Sequence, residues 1–125
     1  MLNKSITVAV VLAAILFIVN GVRWLVDTSG IVVMFGMQLE TGLGLSSQVG
    51  DMSAFFFTLG ACMLIGLIMR EQLWFYPPMM LLGIAAVGRI LAWLLHDASL
   101  AISLIAVEVI VTLLLWLAAK RLGKA

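Results

Sequence analysis

The sequence predicts an all-α integral membrane protein, an up-down bundle of four helices with a long, partly apolar loop between helices 1 and 2. Of its 125 residues, 65% are hydrophobic and only 10% are charged, and the mean hydropathy is +1.27. Soluble domains average about 45–50% apolar and about 25% charged residues, so this chain has too few polar residues to cover a water-facing surface. Four apolar segments also approach the ~20 residues that a helix needs to cross a bilayer.

The predicted spans form a single transmembrane domain over residues 1–125, at about 5–22, 52–69, 73–95 and 99–119. The first follows Lys4, but its apolar run is too long for a signal peptide and no A-x-A-like cleavage site follows, so we expect an uncleaved helix. Very short turns, REQ (70–72) and HDA (96–98), join the last three spans. Such turns require antiparallel neighbours.

The outer loop, at about residues 23–50, is rich in Ile, Val, Met and Leu and is interrupted by glycines. A loop this apolar is expected to lie against the bundle or at the headgroups, as a short amphipathic segment or a re-entrant cap. The sequence LSSQVGD (45–51) offers residues that favour a helix start before the second span.

Lysine and arginine counts predict the orientation. With the N-terminus inside, the cytoplasmic side carries five of these residues and the outer side carries one, Arg23. The cytoplasmic set is Lys4, Arg70, Lys120, Arg121 and Lys124. Both termini are therefore expected in the cytoplasm of a multi-pass protein of the cell (inner) membrane. Trp24 is expected at the outer interface, and Trp74, Tyr76 and Trp116 at the inner one.

Two opposite charges lie inside the last two spans. At about 1.5 Å per helical residue, Glu108 lies roughly 15 Å and Arg89 roughly 10 Å below the outer boundary. A charged side chain at the bilayer centre costs about 2.5–3.5 kcal/mol on insertion scales, and pairing offsets part of that cost. The depth difference is within reach of a guanidinium side chain, so we expect Arg89 to pair with Glu108. Glu108 could alternatively be protonated.

The same reasoning extends the pair to a polar network in the outer half of the bundle. Asp51 is its expected third member, although a residue at a helix start is equally suited to capping. Asn20 and Thr112 are expected as neutral partners, and Trp93 and His96 share the helical face of Arg89. His96 also suits a solvated turn. Arg23 suits an anchor at the level of the lipid headgroups, or a side chain that covers the outer end of the cleft between the four helices.

Several chemistries lack support in the sequence. A net charge of +1 gives no basic field for nucleic acid. A single cysteine distant from the single histidine gives no metal site. No catalytic motif stands out, so we predict neither a cofactor nor enzyme activity. The methionines suit apolar gap-filling better than copper binding, and Ala85, Gly88 and Ala92 suit close helix packing.

The segments NGVRWLVD (20–27), GDMSAFFFTLG (50–60) and VGRILAWLLH (87–96), together with Glu108, resemble the DoxX-like group of small four-helix bacterial membrane proteins. The resemblance covers nearly the whole chain and implies Asp51, Arg89 and Glu108 as recurring polar positions. Some members look like membrane subunits of redox complexes. A more distant likeness is to sterol isomerases and sigma-two-type receptors, where acidic residues meet a cationic or polarised lipid ligand. Arg89 would repel a cationic ligand.

Three functions remain open at this stage. The first is binding of an amphipathic or lipid-like molecule, such as an isoprenoid, a quinone or a lipid, in a cleft that is apolar below and polar above. The second is an accessory subunit, with a membrane-protein partner or a second copy of the chain, in which the ion pair only fixes helix register. The third is a proton-coupled transporter that uses Glu108. It ranks last because drug exporters of similar size carry their essential glutamate in the first helix and have short loops.

Overall fold

Helices account for every named element of the computed structural model, which describes residues 1–124. The elements are α1 (Leu2–Val26), α2 (Thr28–Met34), α3 (Gly42–Met69), a 3-10 turn (Gln72–Phe75), α4 (Tyr76–Leu95) and α5 (Ile102–Arg121). The predicted all-α class is confirmed. Four of the segments are long and apolar enough to cross a membrane: α1, α3, α4 with its preceding turn, and α5.

The long helices leave much of their apolar surface uncovered. Between 17% and 39% of the most apolar window of each is buried within the protein. Large side chains such as Leu12, Ile84 and Ile110 are exposed. Apolar surface on this scale is characteristic of contact with lipid, so the chain is a membrane protein.

The helix bounds differ from the predicted ones mainly around the loop. The second spanning helix, α3, begins at Gly42, ten residues before the predicted start at 52. The first, α1, continues to Val26, and α2 follows within the predicted loop, so only Asp27 and residues 35–41 of that loop lie outside helices. The glycines and serines between residues 42 and 50 are part of α3, because their low helix propensity is a weak preference that packing overrides.

Backbone packing divides the chain into two compact units. One consists of residues 12–61, with most of α1, all of α2 and the first part of α3. The other consists of residues 1–11 and 62–124, with α4, α5 and the remaining ends of α1 and α3.

An aromatic cluster forms the core of the 12–61 unit. The ring centroids of Phe35 and Phe56 lie 5.4 Å apart, and those of Phe35 and Trp24 lie 5.9 Å apart. Phe17 stacks on Phe56 at 6.0 Å. Because Phe35 comes from the segment after α2, the apolar loop does fold back against α1 and α3, as predicted. Trp24 is fully buried within this cluster; its place at the outer interface stays a prediction.

Gln48 fixes the irregular segment in place from the first turns of α3. Its Nε2 donates to the carbonyl oxygen of Gln38 at 2.8 Å, and its Oε1 accepts from the backbone N–H of Glu40 at 3.0 Å. The side chain is buried. One amide group therefore satisfies two backbone groups of a segment that has no regular structure, which is how a buried polar side chain is stabilised.

Replacing Gln48 with leucine is expected to lower the free energy of unfolding by about 1 kcal/mol, because a backbone donor and acceptor lose their partner. The backbone N–H of Glu40 should also exchange with solvent faster, which hydrogen exchange by mass spectrometry measures. Gln38→Leu is the matched control, since only the backbone of that residue takes part. Equal exchange at Glu40 in the two variants would contradict this role.

The 1–11 and 62–124 unit is built on a hairpin of α4 and α5. Pro77 and Pro78 occupy the first turn of α4, where a missing N–H costs nothing. Past α5, the backbone N–H of Lys124 donates to the carbonyl oxygen of Arg70 at 2.7 Å, and Gln72 N–H donates to the Lys124 carbonyl at 3.2 Å. The end of the chain is thereby attached to the turn that follows α3.

Candidate functional site

The turn between α4 and α5 determines how their side chains face each other. Asp97 has a φ of 56°, a left-handed conformation that aspartate tolerates better than most residues. The backbone N–H groups of His96 and Ala98 both donate to the carbonyl of Ala92, at 2.9 and 3.2 Å, so the end of α4 closes on a single acceptor. The chain then reverses direction through residues 96–101, a longer connection than the predicted HDA turn.

Arg89 and Glu108 form the ion pair that the sequence predicts. The Nε of Arg89 lies 3.0 Å from Oε1 and 3.1 Å from Oε2 of Glu108, so one N–H is shared between both carboxylate oxygens. The carboxylate side chain is 9% exposed and the arginine side chain 33% exposed. The buried charge therefore belongs to Glu108, while Arg89 connects it to the surface.

This geometry leaves both terminal nitrogens of Arg89 without a hydrogen bond to Glu108. A guanidinium carries five N–H donors, and Glu108 uses only the one on Nε. Within residues 1–11 and 62–124, no other acceptor lies at hydrogen-bonding distance from Arg89. The arginine can therefore hold Glu108 and bind a second oxygen-bearing group at the same time.

Thr112 does not act on the carboxylate. Its hydroxyl donates to the backbone carbonyl of Glu108, one turn earlier on α5, at 2.6 Å. A threonine within a helix can bond the carbonyl four residues before it in this way, and the role of Thr112 as a neutral partner in the network stays a prediction.

The other predicted members belong to the 12–61 unit or lie at the surface. Asp51 is exposed and Asn20 is half-buried, and both belong to the 12–61 unit; their part in a network with Arg89 stays a prediction. Trp93 and His96 are exposed. Arg23 pairs with Asp27 through an Nη2–Oδ2 distance of 3.1 Å, and its Nη1 lies 3.1 Å from the sulfur of Met34.

An apolar groove of about 540 Å³ runs along the same hairpin. Its walls are Ile90 and Trp93 of α4, Leu100 of the connection, and residues 102, 105, 106 and 109 of α5. No polar atom contributes to its surface. Arg89 and Glu108 do not line the groove themselves; the residues that directly follow them on α4 and α5, Ile90 and Val109, do.

Sequence reasoning missed Gln48 and the aromatic cluster around Phe35. The signal for Gln48 in the sequence is a long polar side chain within LSSQVGD (45–51), the segment predicted to lead into the second span. In residues 1–124, no three His, Cys, Asp or Glu side chains come close enough together to hold a metal ion.

Comparison with known proteins adds no relative: no protein-family model, no curated protein and no solved structure matches this chain.

Proposed function

We propose that this membrane protein binds an amphipathic, lipid-like small molecule, such as an isoprenoid, a quinone or a lipid, along the α4–α5 hairpin. The observation that carries the proposal is a wholly apolar groove on the same α4–α5 hairpin that holds the Arg89–Glu108 ion pair. Ligand sites typically combine an apolar cavity of about 300–1,000 Å³ with a few polar groups that fix orientation. Charged residues inside the membrane are functional more often than not.

Each part of the site has a defined task in this proposal. The groove takes the apolar body of the ligand, with Trp93 as its largest wall. The terminal nitrogens of Arg89 donate to a carbonyl or anionic oxygen at the polar end of the ligand. Glu108 holds the guanidinium in position and balances its charge. Because the group that meets the ligand is a guanidinium, the site favours a neutral or anionic ligand over a cationic one.

Native mass spectrometry of the gently extracted protein tests this proposal. We expect a copurifying lipid-like mass that is lost in Arg89→Leu, because the variant removes the donor for the polar end. Arg23→Leu removes the same charge from an ion pair in the other unit and should keep the bound mass. Arg89→Lys keeps a charge with fewer donors, so it should weaken binding without abolishing it.

The proposal fails if the wild-type protein carries no small molecule, or if Arg89→Leu and Arg23→Leu lose it equally. Helix content by circular dichroism identifies a variant that has not folded. In that event Trp93→Ala, which shortens a groove wall and leaves the ion pair intact, supplies the same test.

A second candidate is an accessory subunit of a membrane complex, possibly a redox complex. The observation that favours it is that Arg89 bonds both carboxylate oxygens of Glu108 and so fixes the register of α4 against α5. Buried pairs of this kind can provide structural specificity alone. A stoichiometric second polypeptide in the same mass spectrum, with no small molecule, would favour this function.

Membership of the DoxX-like group and the location in the inner membrane with cytoplasmic termini are part of the proposal. Support for the orientation comes from the basic residues. Three of the five expected inside, Lys4, Arg70 and Arg121, line one cavity, and Lys124 bonds the backbone of Arg70. Their closeness is what a shared side of the membrane predicts for helix ends of one bundle.

A further inference from the structure

A second cavity, of about 360 Å³, lies within the 1–11 and 62–124 unit, away from the Arg89–Glu108 pair. Three cationic side chains from three different helix ends line it: Lys4 from the start of α1, Arg70 just after α3, and Arg121 from the end of α5. Asn3 and Thr7 add polar groups, and Leu67 and Leu122 add apolar ones. Among residues 1–124, no carboxylate lines it.

The backbone holds two of these cations in fixed relation. Arg70 has a φ of 55°, in the left-handed region, and its carbonyl accepts the N–H of Lys124 at 2.7 Å. Gly123 packs so closely against Gln72 that a Cβ there would lie 2.8 Å from the Gln72 Cγ and 2.9 Å from its backbone nitrogen. The segment that follows Arg121 is therefore bonded to the turn that carries Arg70. Tertiary contacts thus fix the backbones that carry Arg70 and Arg121, while the three cationic side chains themselves are exposed.

Charge within the cavity is unbalanced. Within residues 1–11 and 62–124, none of the three cations forms an ion pair, because the one pair there joins Arg89 and Glu108. Like charges brought together disfavour one another, and an anion between them removes that cost. Arginine pairs also match the geometry of phosphate oxygens, since each guanidinium can donate two parallel hydrogen bonds.

We propose that this cavity binds a phosphate group through Lys4, Arg70 and Arg121. The phosphate could belong to the headgroup of an anionic phospholipid or to a soluble phosphate compound. Exposed apolar side chains beside Arg70, namely Ile68, Met69 and Leu73, would accommodate acyl chains in the first case. Basic pockets between transmembrane helices on the cytoplasmic side are a known type of lipid headgroup site, and the basic residues here are those expected on that side.

The test is native mass spectrometry of the delipidated full chain, titrated separately with phosphatidylglycerol, phosphatidylcholine and inorganic phosphate. Phosphatidylglycerol should bind in preference to phosphatidylcholine, whose choline cation cancels the phosphate charge. Arg70→Gln and Arg121→Gln should each weaken binding about fivefold, the effect of one cation near an anionic headgroup. Arg121→Lys should retain most of the affinity.

Lys120→Gln is the matched control. Lys120 precedes Arg121 in the last turn of α5 and is absent from the cavity lining; its Nζ lies over the ring of Trp116 at 6.0 Å. If inorganic phosphate binds alone and displaces phosphatidylglycerol, the source is a soluble phosphate; if it does neither while the lipid binds, the source is the headgroup. Equal weakening by Lys120→Gln and Arg121→Gln would overturn the proposal, as would a failure of both phosphatidylglycerol and phosphate to bind.

Discussion

Replacing Arg89 with leucine is expected to lower the free energy of unfolding by about 3–5 kcal/mol, because a buried charge that loses its partner is left uncompensated. Glu108 is the buried member, with 9% of its side chain exposed. Glu108→Leu should cost less than Arg89→Leu. The arginine that remains is 33% exposed and can extend toward a more polar region.

The double variant Arg89→Leu with Glu108→Leu gives the decisive comparison. Apolar residues of similar volume often replace a buried pair at little cost, so we expect it to recover most of the stability that Arg89→Leu loses. Reversible unfolding in mixed micelles with sodium dodecyl sulfate, followed by circular dichroism, measures all three variants. The coupling energy from this double-mutant cycle then reports on the pair itself.

Arg23→Leu is the control for this cycle as well. It breaks the Arg23–Asp27 pair, which is exposed and lies four residues apart on the chain. Pairs of that kind contribute about 0–1 kcal/mol. If Arg89→Leu destabilises no more than Arg23→Leu, the Arg89–Glu108 pair does not hold the hairpin together.

The sequence predicted most of the fold because lipid imposes simple requirements on a chain. Helix number and the two short reversals follow from apolar length and from the few polar residues between spans. The start of α3 at Gly42 could not be predicted in this way. Hydropathy marks where a chain is apolar, whereas α3 begins well before that, in a polar stretch held by the hydrogen bonds of Gln48.

The ion pair was predictable for the same reason, since two opposite charges on adjacent antiparallel helices have few alternatives to pairing. What the sequence could not supply was atomic detail. Thr112 turned out to bond a backbone carbonyl, and nothing in its spacing from Glu108 distinguishes that from a bond to the carboxylate. The cavity at Lys4, Arg70 and Arg121 depends on how the segment after α5 folds back onto the turn after α3, which no periodicity encodes.

Close helix packing was expected at Gly88, and the structure places it at another glycine. A Cβ added to Gly88 meets nothing within 4 Å, whereas one at Gly60 would lie 2.5 Å from Cγ1 of Ile18 and 2.7 Å from the carbonyl oxygen of Ala14. Small residues at helix interfaces allow backbones to approach this closely. Within the 12–61 unit, Gly60 is therefore a point of close approach between α3 and α1.

Gly60→Ala is expected to lower the free energy of unfolding by about 1–3 kcal/mol, the usual cost of overpacking, and Gly60→Val should cost more. The side chain of Ile18 can rotate away, but the carbonyl of Ala14 belongs to the backbone of α1, so the helix axis itself must move. The same unfolding assay in mixed micelles measures the change.

Gly83→Ala makes the identical chemical change in the interior of α4, where an added Cβ meets nothing within 4 Å. It should leave stability unchanged or raise it by up to about 1 kcal/mol, because alanine favours the helix over glycine. Both variants gain that same helix propensity, so the difference between them isolates the steric cost at the α1–α3 contact. Equal stabilities would mean that α1 can move away from α3 without loss, and that the contact at Gly60 does not hold the 12–61 unit together.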